Sequence, residues 1–270
     1  MHPHFKEILK FARAIDLNIL ILSNLTLCDA YMAEFLQNID PQFINVSLYS
    51  MDHKIHDSIT KVEGSWQKTM NAINSLQKLD VHIRLATPIM KQNKDSIADL
   101  KKFATDRHVH LILDCDIFGQ MDHDCSNQKC ALSPDEMREV FAKNKRKLRE
   151  EPRPKEDIAP NCKVCDIGKE KININADGIY YPCDGCHGIK LGDARESTFM
   201  EIWRGDVLNS LRELKNSDFG ECASCKNRRW CKVCPTRNFN ETGNMLRHSP
   251  ARCLLAKIKE ETYGAYYNAD

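Results

Sequence analysis

The segment CASCKNRRWCKVC, residues 222–234, carries four cysteines within thirteen positions. Lys, Arg and Trp fill most of its gaps, so these thiols do not belong to an apolar core pattern. Two thiols at CxxC spacing reach one soft metal centre without strain. A disulfide, a zinc ion and an iron–sulfur cluster are therefore the candidates for what they hold.

The chain has thirteen cysteines, and nine of them fall between Cys162 and Cys253. The N-terminus MHPHFKEILK has neither a basic n-region nor an apolar h-region, so we expect a cytoplasmic protein. In a reducing compartment grouped thiols favour metal or redox chemistry over disulfides. The other four cysteines are expected to be small core or loop residues: Cys28, Cys115, Cys125 and Cys130.

Composition excludes two classes of partner. Thirty-nine basic and thirty-eight acidic residues give a formal net charge of +1, which offers no electrostatic case for nucleic acid binding. No apolar stretch approaches the ~20 residues that a membrane span needs. We therefore expect neither nucleic acid nor a membrane as a partner.

Residues 1–150 alternate between helical and β-rich patterns. Helices are predicted over 2–15, 28–38, 65–80, 94–107 and 134–150, and strands over 18–24, 43–49, 81–88 and 109–118. This alternation predicts an α/β fold with a parallel sheet and right-handed crossovers. The first strand, NILILSN, has no polar alternation, which predicts burial on both faces. Ser133 and Glu136 have the spacing of a capping box.

A proline-rich linker, residues 151–160, separates this domain from a cysteine-rich domain at 161–270. Within the latter, INADGIYYPCDGC (174–186) predicts a β-hairpin with its turn at Asp177-Gly178. The hairpin places Cys183 at the end of its returning strand. A thiol at such a position lies on rigid scaffolding with room for a metal.

The cysteine array resembles the SPASM domain, the C-terminal cluster-binding extension of many radical SAM enzymes that modify peptides and proteins. The array reads Cys165…Gly178-x4-Cys183…Cys222-x2-Cys225-x5-Cys231-x2-Cys234…Cys253. The N-terminal segment, HPHFKEILKFARAIDLNILILSN, is similar in sequence to the radical SAM partial barrel of peptide maturases. The resemblance implies an incomplete (β/α) barrel at 1–150 followed by a SPASM domain.

That resemblance implies two auxiliary [4Fe–4S] clusters. The first would take Cys183, Cys234 and one or both of Cys162 and Cys165, while Cys186 is an extra thiol that could replace Cys162. The second cluster would take four other cysteines of the array: Cys222, Cys225, Cys231 and Cys253.

The resemblance also implies roles for residues outside the clusters. Asp184 matches a general base of sulfatase-maturing relatives, although a carboxylate hydrogen-bonded to backbone is the competing interpretation. Four residues at strand ends match positions that line the S-adenosylmethionine pocket: Ser23, Asn24, Ser47 and Thr87. The implied substrate is a ribosomally made precursor peptide or a protein side chain, and the implied electron donor is a flavodoxin or ferredoxin.

The 270 residues depart from the family by containing neither CxxxCxxC nor the Gly-Gly-Glu-Pro segment. We therefore expect an N-terminally truncated member. S-adenosylmethionine and a third [4Fe–4S] cluster would bind only to the complete parent, and this chain alone would not cleave the cofactor.

A non-enzymatic zinc or Fe–S binding module is the alternative. Cys162-x2-Cys165-x17-Cys183-x2-Cys186 fits a zinc ribbon by itself. The zinc interpretation leaves Cys253 unused. It also does not account for the sequence of residues 1–150 that resembles the radical SAM barrel.

Overall fold

The computed structural model describes residues 2–120, 122–148 and 151–267. Contacts within the chain divide it into two compact units, with the division between Cys115 and Asp116.

The first unit is a four-stranded parallel sheet with helices between the strands. Its strands, in the spatial order β1-β2-β3-β4, are β1 (Leu20–Ser23), β2 (Phe43–Ser47), β3 (Ile83–Pro88) and β4 (His110–Asp114). Its helices are α1 (Phe5–Ala14), α2 (Ala30–Ile39), α3 (His53–Thr60), α4 (Ser65–Lys78) and α5 (Ile97–Asp106). The predicted α/β fold with a parallel sheet is confirmed.

Burial differs between the inner strands and β1. Ile44, Val46 and Leu85 on β2 and β3 are fully buried. On β1, Ile21 is buried, but Leu20 and Leu22 are 47% and 78% exposed. The expectation that the first strand is covered on both faces was therefore wrong. β1 alternates between a buried and an exposed face, as an edge strand does.

Helix α3 was not predicted from the sequence. Its N-cap is Asp52, whose side chain accepts a hydrogen bond from the Lys54 backbone N–H at 2.7 Å. His53 and His56 both lie in this helix. His56 is buried, while His53 is exposed.

The second unit contains short helices and a small antiparallel sheet. Its strands are β5 (Asn173–Ile174), β6 (Ile179–Tyr181) and β7 (Gly192–Asp193), in that spatial order. Its helices are α6 (Pro134–Lys143), α7 (Lys145–Leu148), α8 (Phe199–Arg204), α9 (Asp206–Arg212), α10 (Pro235–Thr242) and α11 (Pro250–Tyr267). The hairpin is confirmed, and Gly178 at its turn has a φ of +80°.

The capping box at the start of α6 is also confirmed, because Ser133 and Glu136 exchange both hydrogen bonds. Helix α6 packs on α11, where the rings of Phe141 and Tyr263 lie 5.8 Å apart. By contacts, α6 thus belongs to the second unit, whereas the sequence placed it in the first domain. Residues 149 and 150, where that predicted domain ends, lie outside the described residues.

No helix within the described ranges is long and apolar enough to cross a membrane.

Candidate functional site

Four thiols of the second unit form a first cysteine group: Cys165, Cys183, Cys186 and Cys234. Cys183 and Cys186 follow β6, and Cys234 is the N-cap of α10. Cys165 is within electrostatic reach of Cys183 and Cys234, and so is Cys186. Residues from three separate chain segments therefore meet at one place.

Helix α10 fixes two sides of this group. The Cys234 thiol accepts a hydrogen bond from the Arg237 backbone N–H at 3.4 Å, in the manner of an N-cap. The Thr236 hydroxyl lies 3.3 Å from the Cys183 thiol. The Asn240 amide donates to the Gly185 carbonyl at 3.0 Å, which ties the helix to the turn between Cys183 and Cys186.

Four more thiols of the second unit form the second cysteine group: Cys222, Cys225, Cys231 and Cys253. Cys253 lies in the first turn of α11 and is within electrostatic reach of the other three. Cys222 and Cys231 pack against a small apolar cluster of Val164, Phe219 and Val233.

Cys162 has a different recorded partner. Its thiol donates a hydrogen bond to the Glu156 carbonyl at 2.9 Å. Cys186 is fully buried beside Cys183 and Cys234. The geometry therefore favours Cys186 over Cys162 as the fourth thiol of the first group, the alternative that the sequence left open.

Both groups contain thiols with raised pKa values. Burial, reinforced by neighbouring thiols, raises the pKa of Cys186 to about 11 in the first group and that of Cys253 to about 11 in the second. Burial also raises the pKa values of Cys165, Cys222 and Cys234. These thiols carry protons at neutral pH, so a metal that binds them as thiolates must displace those protons.

The chemistry of the two donor sets fits iron–sulfur clusters. Each set supplies four soft sulfur ligands, the number that a [4Fe–4S] cluster takes from a protein. Within the described residues, no three or more cysteine, histidine or acidic side chains are arranged to hold a single ion. The two groups are sets of neighbouring thiols rather than closed coordination spheres.

The residues proposed for cofactor contact lie in the first unit, at or just after the carboxyl ends of three neighbouring strands. Ser23 and Asn24 line a cavity of about 410 Å³ whose other walls are mainly apolar. The Ser23 hydroxyl accepts from the Leu25 backbone N–H at 3.0 Å. Thr87 is buried and donates to the Leu48 carbonyl at 2.6 Å, and Ser47 is half-buried near the end of β2.

Asp184 lies in the turn after Cys183 and is exposed. Its carboxylate forms no hydrogen bond or ion pair with the part of the chain that the structure describes. The competing interpretation, a carboxylate bonded to backbone, thus finds no backbone partner among those residues.

A buried charge network lies beside the first group and was not foreseen from the sequence. Arg237 of α10 pairs with Asp116 and with Glu241, the latter at 2.7 Å. Arg252 of α11 also pairs with Asp116. Arg237, Arg252, Cys165 and Cys234 all line one cavity of about 480 Å³. Arg237 and Glu241 stand four residues apart on α10, but only tertiary packing brings Asp116 and Arg252 to this pair.

Comparison with known proteins matches the cysteine-rich segment to a known family. Residues 162–235 match the SPASM family, described as an iron-sulfur cluster-binding domain. An AdoMet-dependent heme synthase of Methanosarcina barkeri is 23% identical over 275 residues, covering 92% of this chain and 78% of the relative.

Two solved structures have the same fold. Native anSMEcpe with bound AdoMet and Kp18Cys peptide superposes with a TM-score of 0.68 at 16% identity, covering 97% of this chain and 79% of that one. Streptococcus suis SuiB bound to precursor peptide SuiA superposes with a TM-score of 0.65 at 15% identity, covering 93% and 63%.

The cysteine-rich domain and the fold together define a class of cluster-binding α/β proteins. The second unit contains a SPASM domain at residues 162–235, and the chain as a whole is similar to radical SAM/SPASM proteins.

Proposed function

We propose that this chain holds two auxiliary [4Fe–4S] clusters in a radical SAM/SPASM enzyme of the peptide or protein maturase type. The first cysteine group would hold one cluster and the second group the other. Such clusters supply a route for electrons. The residues of this chain provide the thiolates, exclude water from the buried thiols and hold the segments that carry them.

The sorting of eight thiols into two groups of four is the observation that supports this proposal most directly. The first group extends from Cys165 to Cys234 and the second from Cys222 to Cys253, so simple CxxC pairing does not account for them. A single zinc ribbon would use four of these thiols and leave the others without a role.

The substrate in this proposal is a ribosomally made precursor peptide or a protein side chain. The support is the fold shared with anSMEcpe and SuiB, whose structures contain peptides. A flavodoxin or ferredoxin would deliver the electrons, and the protein would work in the cytoplasm.

The 270-residue chain by itself is expected not to cleave S-adenosylmethionine. It contains no CxxxCxxC to hold the cluster that binds the cofactor. Anaerobic incubation of the reconstituted chain with S-adenosylmethionine and dithionite should yield no deoxyadenosine, with a complete radical SAM enzyme as the positive control. Deoxyadenosine formation above the no-enzyme level would contradict this expectation.

A heme-forming reaction is the second candidate. The Methanosarcina barkeri relative spans nearly the whole chain and carries that name. Spectroscopic titration of the chain with a porphyrin and with candidate precursor peptides separates the two substrates. Saturable peptide binding supports the maturase proposal, and porphyrin binding alone supports the heme-forming one.

A non-enzymatic zinc module remains the alternative from another class. Metal and acid-labile sulfide analysis after anaerobic purification distinguishes it from the main proposal. Iron with matching sulfide supports the clusters, and zinc without sulfide supports the module.

A further inference from the structure

Arg228 is a buried cation beside the second cysteine group. It begins a short 3₁₀ turn, Arg228–Trp230, between Cys225 and Cys231. The whole residue, side chain and backbone, is only 4% exposed. An arginine is charged under all ordinary conditions, so its burial leaves a permanent positive charge in the protein interior.

Two hydrogen bonds hold the guanidinium in place. Nη1 donates to the Cys231 carbonyl at 2.6 Å, and Nη2 donates to Oδ1 of Asn216. Asn216 is itself buried, and its amide donates to the carbonyls of Asp157 and Ala159 at 3.2 and 2.9 Å. Arg228 therefore cannot swing into solvent without breaking a fixed polar network.

No carboxylate of the described residues forms an ion pair with Arg228, and its buried Nε has no hydrogen-bond partner among them. The ionisable groups that act on it most are another cation, Arg153, and the thiols of Cys231, Cys222 and Cys225. A buried charge without a counter-charge is strongly unfavourable. The groups in position to supply that counter-charge are the thiols.

We propose that Arg228 is the built-in counter-ion of the metal–thiolate centre in the second cysteine group and raises the reduction potential of a cluster bound there. Four thiolates around a [4Fe–4S] core leave a net negative charge, and reduction adds one more electron. A fixed cation nearby stabilises the reduced form more than the oxidised form. Arg228 thus tunes the reduction potential of the cluster through its charge. This inference rests on the cluster that the proposed function assigns to the second group.

The charge of Arg228 should act less strongly on a cluster in the first cysteine group. The main electrostatic partners of Cys165, Cys186 and Cys234 do not include Arg228. Cys234 interacts instead with Arg252, which Asp116 already pairs. Neutralising Arg228 should therefore shift one cluster and spare the other.

The test uses the full chain in a Cys183→Ser background, so that the second cluster is observed alone. Arg228→Gln removes the charge and keeps an N–H donor, Arg228→Lys keeps the charge, and Lys226→Gln removes an exposed charge from the same segment. The midpoint potential is measured by redox titration followed by electron paramagnetic resonance.

We expect Arg228→Gln to lower the equilibrium constant for reduction about tenfold, which is about 59 mV for a one-electron couple. Arg228→Lys should restore most of that shift, and Lys226→Gln should change the potential little. Equal shifts in Arg228→Gln and Lys226→Gln would overturn the proposal. So would equal shifts in the Gln and Lys variants of Arg228.

Iron content gives a second readout in case Arg228→Gln cannot be titrated. Loss of iron in Arg228→Gln with retention in Arg228→Lys supports the counter-ion role, whereas loss in both contradicts it. If the wild-type chain holds zinc instead, the proposed function fails, but the role of Arg228 can still be measured. Faster release of zinc to a chelator from the Gln variant than from wild type and the Lys variant would support it, and equal rates would contradict it.

Discussion

Among single residues, Cys162 and Cys186 offer a matched pair that tests the first cysteine group. Cys186 is buried beside Cys183 and Cys234, while the Cys162 thiol is bonded to the Glu156 carbonyl. Cys186→Ser is expected to lower the iron content of the reconstituted chain by about half, because the first cluster loses a ligand. Cys162→Ser should leave both clusters in place.

Iron and acid-labile sulfide per chain, measured after anaerobic reconstitution, check this expectation. Normal iron content in Cys186→Ser together with a loss in Cys162→Ser would assign the ligand to Cys162 instead. Circular dichroism of both variants controls for misfolding.

Residue types and spacing were enough to single out seven of the eight thiols in the two groups, whereas Cys186 was foreseen only as an extra thiol that could replace Cys162. They did not decide between Cys162 and Cys186, because both stand at CxxC spacing. Arg228 and Arg237 were not foreseen for a related reason. Arginine is a surface residue in most proteins, and its burial depends on partners far along the chain.

Among structural elements, the segment before β5 depends on a close glycine contact. Gly168 has a φ of +67°, and a Cβ added there would lie 2.6 Å from Cδ1 of Leu208, a fully buried side chain. Gly243, the C-cap of α10, has a similar φ of +73° but open space around its missing Cβ. The two glycines thus share a left-handed backbone conformation and differ in packing.

Gly243→Ala is expected to lower the free energy of unfolding by about 1 kcal/mol, the cost of a left-handed alanine. Gly168→Ala should lower it by about 2 to 4 kcal/mol, because overpacking adds about 1 to 3 kcal/mol. Urea denaturation of the reconstituted chain provides the measurement. Equal losses of unfolding free energy in the two variants would contradict this expectation. They would show that the Leu208 side chain moves aside without cost when Gly168 is replaced.

Helix α3 shows where local patterns were insufficient. The segment HKIHDSIT has only two apolar residues, so the sequence reads as a loop. Tertiary contacts stabilise it as a helix, since the imidazole of His56 packs against Tyr49 at 5.4 Å and its Nδ1 accepts from the Tyr49 backbone N–H at 3.2 Å. A histidine thereby takes the place of an apolar anchor.

The burial of His56 predicts a pH dependence for the stability of the first unit. Burial lowers the pKa of His56 below its ordinary 6.5, and Asp57 opposes this only partly. The unfolded chain therefore binds more protons than the folded chain, so stability rises with pH. This contribution is fully present above about pH 6.5 and is lost as the pH falls below it.

The free energy of unfolding, followed by Trp66 fluorescence at about pH 7.5 and about pH 5.5, measures this effect on both sides of the histidine pKa. His56→Asn keeps an acceptor for Tyr49 and should lose less stability between the two pH values than wild type. His53→Asn changes the exposed histidine of the same helix and should behave like wild type. The same pH dependence in all three proteins would refute the assignment.

At the scale of the whole molecule, alternation of helices and strands was enough to predict the parallel sheet. It did not predict the grouping of α6 with α11. The contact between Phe141 and Tyr263 joins residues far apart in sequence, and no local periodicity encodes it. The exposed face of β1 was missed because an unbroken apolar run looks the same whether one face or both are covered.

The central claim is that eight thiols hold two separate [4Fe–4S] clusters. Mössbauer spectroscopy of the iron-loaded chain tests it most directly, with wild type compared with one variant that replaces Cys183 and Cys234 by serine and another that replaces Cys222 and Cys225. The account predicts two [4Fe–4S] clusters in wild type and one in each variant. A wild-type chain that holds zinc without iron, or a single pair of substitutions that removes all of the iron, would contradict it.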